Sequence, residues 1–326
     1  MSTKERVERC PPQADGYRLD RAVREIFGLS WDAARKAVAS GKVKVAGKVV
    51  LNAMFTVDEG EELALDPNAP RPHVARRVEI QSTALLHVDH AIVVVHKPAG
   101  ISTVPFGDEG PEGERQTLDA LVREILQKRA RPGQRGMRAP LGVVHRLDKE
   151  TSGVMVFTRT LEAKQDLSNQ FRQHTTKRKY LAIAVGHVAA ARTIRSHIIE
   201  NRGDGLRGSV KGGVRAGQLA ITHVTPLEYF QGTEAHPGSA TFIRCELETG
   251  RTHQIRIHLS EAGHPILGDR VYSRGHAPTP LKAPRLMLHA EMLELTHPTS
   301  GERMRWSAPP PADFEAVLAG LRARGR

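Results

Sequence analysis

The stretch HRLDKETSGVMVFTRT, residues 145–160, sets a carboxylate, Asp148, two positions after Arg146 and just ahead of a small-residue turn. LGVV before it and GVMVFTRT within it read as strands, so Asp148 falls in a cationic loop between two pieces of sheet. An aspartate in such a place is either a turn residue that caps its own backbone or a reactive group. The residues around it have to decide.

Downstream, Thr160 is placed to cap a helix in which Ala163, Leu167 and Phe171 recur every four residues, and KYLAIAV follows as a strand. A Gly- and Arg-rich segment, 201–217, reads as a mobile loop. ATFIRCEL, RTHQIRIHL and LMLHAEMLEL read as further strands, and PADFEAVLAGLRAR closes the chain as an amphipathic helix. Upstream, AIVVVH is a strand ended by KPAG, and TLDALVREILQKR is a helix followed by a basic loop at 130–140.

Further upstream, DPNAPRPHVARR (66–77) holds three prolines and no hydrophobic periodicity, as a linker would. It divides a small domain, 15–68, from a large one, 79–326, with residues 69–78 between them. In the small domain, YRLDRAVREIFG places Leu19, Ala22, Val23, Ile26 and Phe27 at helical spacing, with Gly28 as the stop. Ser30 caps a second helix that turns Ala33, Ala34, Ala37 and Val38 inward, and KVKVAGKVV is a hairpin about Ala46-Gly47.

Lys and Arg exceed Asp and Glu by 12 in 326 residues. Such a field favours a polyanion, nucleic acid first. Seven candidates for phosphate contacts lie on the two helices and the hairpin: Arg18, Arg21, Arg35, Lys36, Lys42, Lys44 and Lys48. With aromatics at 4%, a base-stacking platform is not expected. Two cysteines, Cys10 and Cys245, are too few for a disulfide framework, which fits a reducing cytoplasm. Neither a signal peptide nor an apolar run long enough to cross a bilayer is present.

His145, His253, His258, His264 and His289 show no metal-ligand spacing, so no metal is expected. Gly142, Gly153, Gly250 and Gly268 read as turn glycines, and neither a Walker loop nor a dinucleotide fingerprint appears, so no nucleotide cofactor is expected.

HRLDKETSGVMVFTRT resembles the signature of the RluA-type pseudouridine synthases of large-subunit ribosomal RNA and transfer RNA. VVHKPAGISTVP, KRKYLAIAVG, ETGRTHQIRIHL, GHPILGD and LMLHAEMLELTHP are similar to that family's other motifs, in its order, from about residue 85 to the end. Residues 17–65 resemble the alpha-L (S-four-like) RNA-binding domain, which many members carry at the N-terminus. The resemblance implies an α+β protein: a small alpha-L domain followed by a catalytic domain on a mixed, mostly antiparallel sheet flanked by helices. It also implies the reaction, in which the N-glycosidic bond of a uridine breaks and the base turns and rejoins the ribose through carbon 5.

Breaking that bond without hydrolysis needs a nucleophile, and an ionised carboxylate suits the task. The resemblance assigns it to Asp148. A carboxylate in a closed pocket needs a fixed cation nearby to stay ionised. The resemblance assigns this partner to Arg251, on the expected strand RTHQIRIHL. It also implies that Tyr180 stacks on the uracil and stands at the proton-transfer site, and that Arg146 fills the gap left by a flipped base. A monomer acting on structured RNA is expected, with ribosomal RNA favoured over transfer RNA. A noncatalytic ribosome-assembly protein and a glycosidic hydrolase are the alternatives.

Overall fold

The computed structural model describes residues 5–69, 84–105, 117–129, 141–210, 217–235 and 237–324. They fall into two compact units, 5–69 and 84–324. Most of the expected linker lies outside the described residues, as does the basic loop 130–140.

The first unit runs β1 (Arg6–Arg9), α1 (Leu19–Phe27), α2 (Trp31–Ala39), β2 (Val43–Val45), β3 (Lys48–Val49) and β4 (Glu62–Leu65), with sheet order β1-β4-β2-β3. α1 buries Leu19, Ala22, Val23 and Phe27 and ends where Gly28 turns left-handed at φ 66°. The Ser30 hydroxyl accepts the Ala33 N–H at 3.2 Å, capping α2. Ala33 itself is exposed. Ala34, Ala37 and Val38 form the inward stripe, because i, i+3, i+4 spacing leaves position 33 off that face. Ala46 and Gly47 both have positive φ, 47° and 75°, which is the conformation a two-residue hairpin loop requires. β1 extends the unit ahead of the expected start at Asp15. All four of its residues are exposed on an edge, so no burial alternation marks it in sequence.

The second unit contains β5 (Leu85–Val88), β6 (Ile92–Lys97), α3 (Leu118–Arg129), β7 (Gly142–Val143), β8 (Ser152–Thr158), α4 (Leu161–Arg172), β9 (Lys177–Val185), β10 (Arg192–Ile199) and β11 (Gly208–Ser209). It continues with β12 (Gln218–Phe230), β13 (Ala240–Leu247), α5 (Gln254–Glu261), β14 (Leu288–Thr296), β15 (Arg303–Ser307) and α6 (Ala312–Arg324). The eleven-stranded sheet has the order β11-β10-β12-β13-β9-β14-β8-β6-β5, with β15 on β14 and β7 on β8. Only β8 and β14 pair in parallel among the described strands, so the sheet is mixed and mostly antiparallel.

β6 explains the apolar run AIVVV. Val93 and Val95 pack with Leu118, Val122 and Phe314 on one face of the sheet, while Ile92 and Val94 pack with Ala163 and Leu167 of α4 on the other. A strand covered on both faces has no polar side to alternate with. At the β8·β14 junction Gly153 has φ 126°, and a Cβ there would sit 2.2 Å from the Ala290 carbonyl oxygen, so only glycine fits. No described helix is long and apolar enough to cross a membrane.

One expected strand is a helix. RTHQIRIHL becomes α5, with Gln254 to Leu259 all buried. The segment alternates polar Gln254, Arg256 and His258 with apolar Ile255, Ile257 and Leu259, a strand-like period, and a helix buried on every side shows no apolar stripe to oppose it. The 201–217 loop contains β11, and residues 211–216 lie outside the described residues.

Candidate active site

The loop carrying Asp148 is pinned from beneath. The Thr103 hydroxyl donates to the Leu147 carbonyl at 3.0 Å and accepts the Leu147 N–H at 3.3 Å. Lys97, at the end of β6, is fully buried, and its Nζ donates to the carbonyls of Pro98 (3.0 Å), Lys149 (3.0 Å) and Thr151 (2.7 Å). Burial lowers the Lys97 pKa to about 7, with Asp148 and Glu150 pulling the other way. The Thr151 N–H closes a turn on the Asp148 carbonyl at 3.1 Å. Asp148 is therefore a turn residue through its backbone, and its side chain is left for other work. Leu147 points into the core and Arg146 to solvent, as alternation along an extended chain dictates.

The cation at Asp148 is Arg256, from α5. Its Nη1 donates to Asp148 Oδ2 at 3.3 Å, while Nε and Nη2 grip Asp269 at 2.7 and 3.0 Å. Asp269 is held in turn by the N–H groups of Val271 and Tyr272 at 2.9 and 3.0 Å. Burial works against the Arg256 charge, but the bonds to Asp269 and the charges of both aspartates outweigh it and hold the guanidinium above its ordinary pKa. Burial likewise opposes the Asp269 charge, and Arg256 overcomes it. One face of the fork is thus spent on a permanent partner, and one nitrogen is offered to Asp148.

The expectation that Arg251 pairs with Asp148 is corrected by this geometry. Arg251 precedes α5, and its Nε donates to the Leu219 carbonyl at 3.0 Å. Gln254 accepts the Arg251 N–H at 3.0 Å and the Thr249 hydroxyl at 2.8 Å, and donates to the Ile221 carbonyl at 2.9 Å, locking the helix start. A strand would have put residues 251 and 256 on opposite faces; the helix turns Arg256 inward. The signal was present in sequence. An arginine between Ile255 and Ile257 is buried and must find carboxylates, and GHPILGD supplies Asp269.

His253 stands at the start of α5 with φ 59°. Its Nδ1 lies 2.9 Å from the Tyr272 hydroxyl and its Nε2 3.8 Å from Asp148 Oδ1. Burial lowers its pKa, so the ring is a neutral neighbour of the carboxylate. Tyr180, 8% exposed on β9, pairs with Cys245 and Ala290 across the sheet. Burial raises its phenol pKa and Asp148 pushes the same way, with Arg178 opposing. Asp148, Arg256 and Tyr180 share one electrostatic neighbourhood.

The other histidines singled out in sequence are hydrogen-bonded members of the fold. His145 Nε2 accepts the Val156 N–H at 3.1 Å and its ring stacks on Phe171 at 4.6 Å, and burial pulls its pKa to about 3. His258 lies between Thr222 and Ser196, His289 between Ser152 and the Ala308 carbonyl, and His264 against the Val185 carbonyl.

A cluster that sequence reading missed joins His87, Asp89 and His297. Both imidazole Nε2 atoms donate to Asp89 Oδ2, at 2.7 and 2.8 Å. The Nδ1 of His297 accepts the N–H groups of Thr299 and Ser300 at 3.3 and 3.1 Å, which fixes the proton on Nε2. That nitrogen presents N–H and no lone pair, so as arranged the donor set does not fit a metal ion.

On the first unit, four of the seven basic candidates hold carboxylates of their own: Arg18 with Asp20, Arg21 with Glu25, Arg35 with Asp32 and Lys44 with Glu5. Arg21 also lies over the Tyr17 ring at 3.6 Å. Lys36, Lys42 and Lys48 form no ion pair among the described residues, and Lys36 and Lys48 are exposed.

A mixed sheet thus presents a partly exposed carboxylate on a fixed loop, paired with a buried arginine and within electrostatic reach of a buried tyrosine. The comparisons with known proteins make the class specific. Residues 91–261 match the family model described as RNA pseudouridylate synthase. The chain is 34% identical over 331 residues to ribosomal large subunit pseudouridine synthase D of Nitrosomonas europaea, covering 96% of this chain and 86% of that one. It is 34% identical to the protein of the same name from Pseudomonas aeruginosa, covering 98% of this chain and 96% of that one. Among solved structures it is similar to human RNA pseudouridylate synthase domain containing 4, with a TM-score of 0.56 and 27% identity over 74% of this chain and 93% of that one. The chain belongs to the RNA pseudouridylate synthase family, of the RluA type, and is an isomerase.

Proposed function

We propose that this enzyme isomerises uridine to pseudouridine in structured large-subunit ribosomal RNA, with Asp148 as the nucleophile. The observation that carries the reading is the Asp148–Arg256–Asp269 chain: a carboxylate fixed by its backbone, charge-balanced by a buried guanidinium, and with its oxygens only partly occupied. The names of the curated relatives supply the ribosomal substrate, and the net charge of +12 suits a folded polyanion.

In this reading the uridine leaves its stack and Asp148 attacks the ribose or the base. The N1–C1′ bond breaks, the uracil turns, carbon 5 bonds to C1′ and the bond to Asp148 is released; carbon 5 then gives its proton to solvent and N1 takes one up, so no atom is gained or lost. Tyr180 forms a wall against which the uracil stacks. Its raised pKa keeps the phenol neutral, which favours that role over proton abstraction. Arg146, exposed two residues before Asp148, fills the space the base vacates. The first unit acts as an alpha-L module that grips RNA by its phosphates, with Lys36, Lys42 and Lys48 leading because their charges are uncommitted. Both cysteines are buried and unpaired, in keeping with work in a reducing cytoplasm.

Incubation of uridine-labelled large-subunit ribosomal RNA with the protein tests the reading. Isomerised base is expected. Unchanged RNA would point to a noncatalytic assembly role, and free uracil to a hydrolase.

A further inference from the structure

Three of the described arginines of the second unit are less than a tenth exposed: Arg178 (7%), Arg256 (9%) and Arg285 (8%). Two of them hold a carboxylate with both nitrogens of a fork, Arg256 on Asp269 and Arg285 on Asp313. Arg178 does not. Its Nη2 donates to the Glu248 carbonyl at 3.0 Å, its Nε is buried without an acceptor, and its guanidinium lies over the Phe171 ring at 5.6 Å. The Glu248 carboxylate is turned away to His223, 2.7 Å from Nε2. No acidic side chain pairs with Arg178 among the described residues.

A second uncommitted guanidinium lies beside it. The backbone of Gly250 packs against Arg178 so closely that a Cβ there would stand 2.3 Å from Nη1. The next residue is Arg251, which uses Nε on the Leu219 carbonyl and forms no ion pair among the described residues. The two charges oppose each other, and both act on His174 at the end of α4. Holding two like charges together, one of them buried, is unfavourable unless an anion joins them.

Their position says which anion. Arg178 stands two residues before Tyr180 on β9, so both side chains lie on one face of the sheet, roughly 7 Å apart along the strand. His145, one residue from Arg146, also feels the Arg178 charge.

We propose that Arg178 and Arg251 form a seat for a phosphodiester group of the RNA strand next to the reacting uridine, with Gly250 leaving the room that the Arg178 guanidinium occupies. The proposal rests on the reading of the protein as an RNA-modifying enzyme. The free end of each guanidinium meets phosphate oxygens, a geometry that suits the planar fork. The incoming phosphate completes a charge balance that the free protein leaves open, so the seat couples strand placement to the approach of the uridine to Asp148.

The test uses the full-length protein and a large-subunit ribosomal RNA transcript that it converts. Dissociation constants over a salt series and single-turnover rates are measured for wild type, Arg251→Met and Arg178→Lys. Arg251→Met, which removes one charged hydrogen-bonded contact, should bind about 10-fold more weakly at moderate salt, and its slope of log affinity against log salt should fall by roughly one. Arg178→Lys keeps the charge and loses the planar fork, so it should weaken binding with a slope close to that of wild type. The rate at saturating RNA should change far less than the concentration needed to reach it. An unchanged affinity and salt slope for a normally melting Arg251→Met protein overturns the phosphate seat, and Arg251→Met decides the matter if Arg178→Lys does not fold. Failure of the wild type to convert any RNA would instead remove the functional reading beneath it.

Discussion

Asp148 and Asp89 stand at opposite ends of β6, each a carboxylate near histidine and each in a tight turn. Asp89 is saturated: it accepts hydrogen bonds from His87, His297, Ala91 and Ile92, the last two at 2.7 and 2.8 Å. Among the described residues Asp148 accepts one side-chain bond, from Arg256 at 3.3 Å, and its loop is anchored by neighbouring carbonyls instead. A carboxylate that builds structure spends its lone pairs on the protein. One that reacts is held by its backbone and by charge, and keeps lone pairs for the substrate.

The comparison breaks first at Asp148 itself. Asp148→Asn should lower single-turnover isomerisation by roughly 10⁴-fold while leaving the melting temperature nearly unchanged. A variant that retains most of the wild-type rate would put the nucleophile elsewhere.

Arg256→Met should fail on both counts. It removes the Asp148 partner and leaves Asp269 buried and unpaired, costing about 3–5 kcal/mol in urea unfolding and roughly 10²–10³-fold in rate. A stable, active Arg256→Met would show that the guanidinium supports neither carboxylate.

Asp89→Asn should invert the Asp148 result, with about 1–3 kcal/mol of stability lost and the rate per folded molecule retained. Burial alone would raise the Asp89 pKa, but the bonds from His87, Ile92, Ala91 and His297 hold it well below the usual carboxylate range. A depressed folded-state value makes the ionised form the stabilising one. The advantage of wild type over Asp89→Asn should be complete above about pH 4 and shrink as the pH falls below it. Urea midpoints for both proteins across acid pH check this, and a difference that grows on acidification would reverse the assignment.

The smallest effect is expected at Arg146. Arg146→Ala should slow conversion of a folded RNA about 10-fold, from the few kcal/mol a base needs to leave its stack, and an unpaired substrate less. Equal losses on both would count against a role in base extrusion.

Much of the arrangement was legible in the residues. The double-sided burial of AIVVV, the Ser30 and Thr160 caps and the Ala46-Gly47 hairpin each follow from a local rule that the fold obeys. The strands β10 and β12 were not legible. β10 is mostly exposed, and β12 carries Pro226 with a register shift after it, so neither shows a clean alternation. The Asp89 cluster escaped for a different reason. His297 lies more than two hundred positions from His87 and Asp89, and no local spacing announces it.

By itself the sequence determined the motif order, the loop that carries Asp148 and the family, because these depend on neighbours in the chain. Only the tertiary structure decided which arginine meets that carboxylate. Its apolar neighbours mark Arg256 as an arginine in need of carboxylates, but helical turns, not chain proximity, bring it and not Arg251 between Asp148 and Asp269. A buried charge takes the partners that the fold brings within reach, and the fold is a property of all the contacts at once.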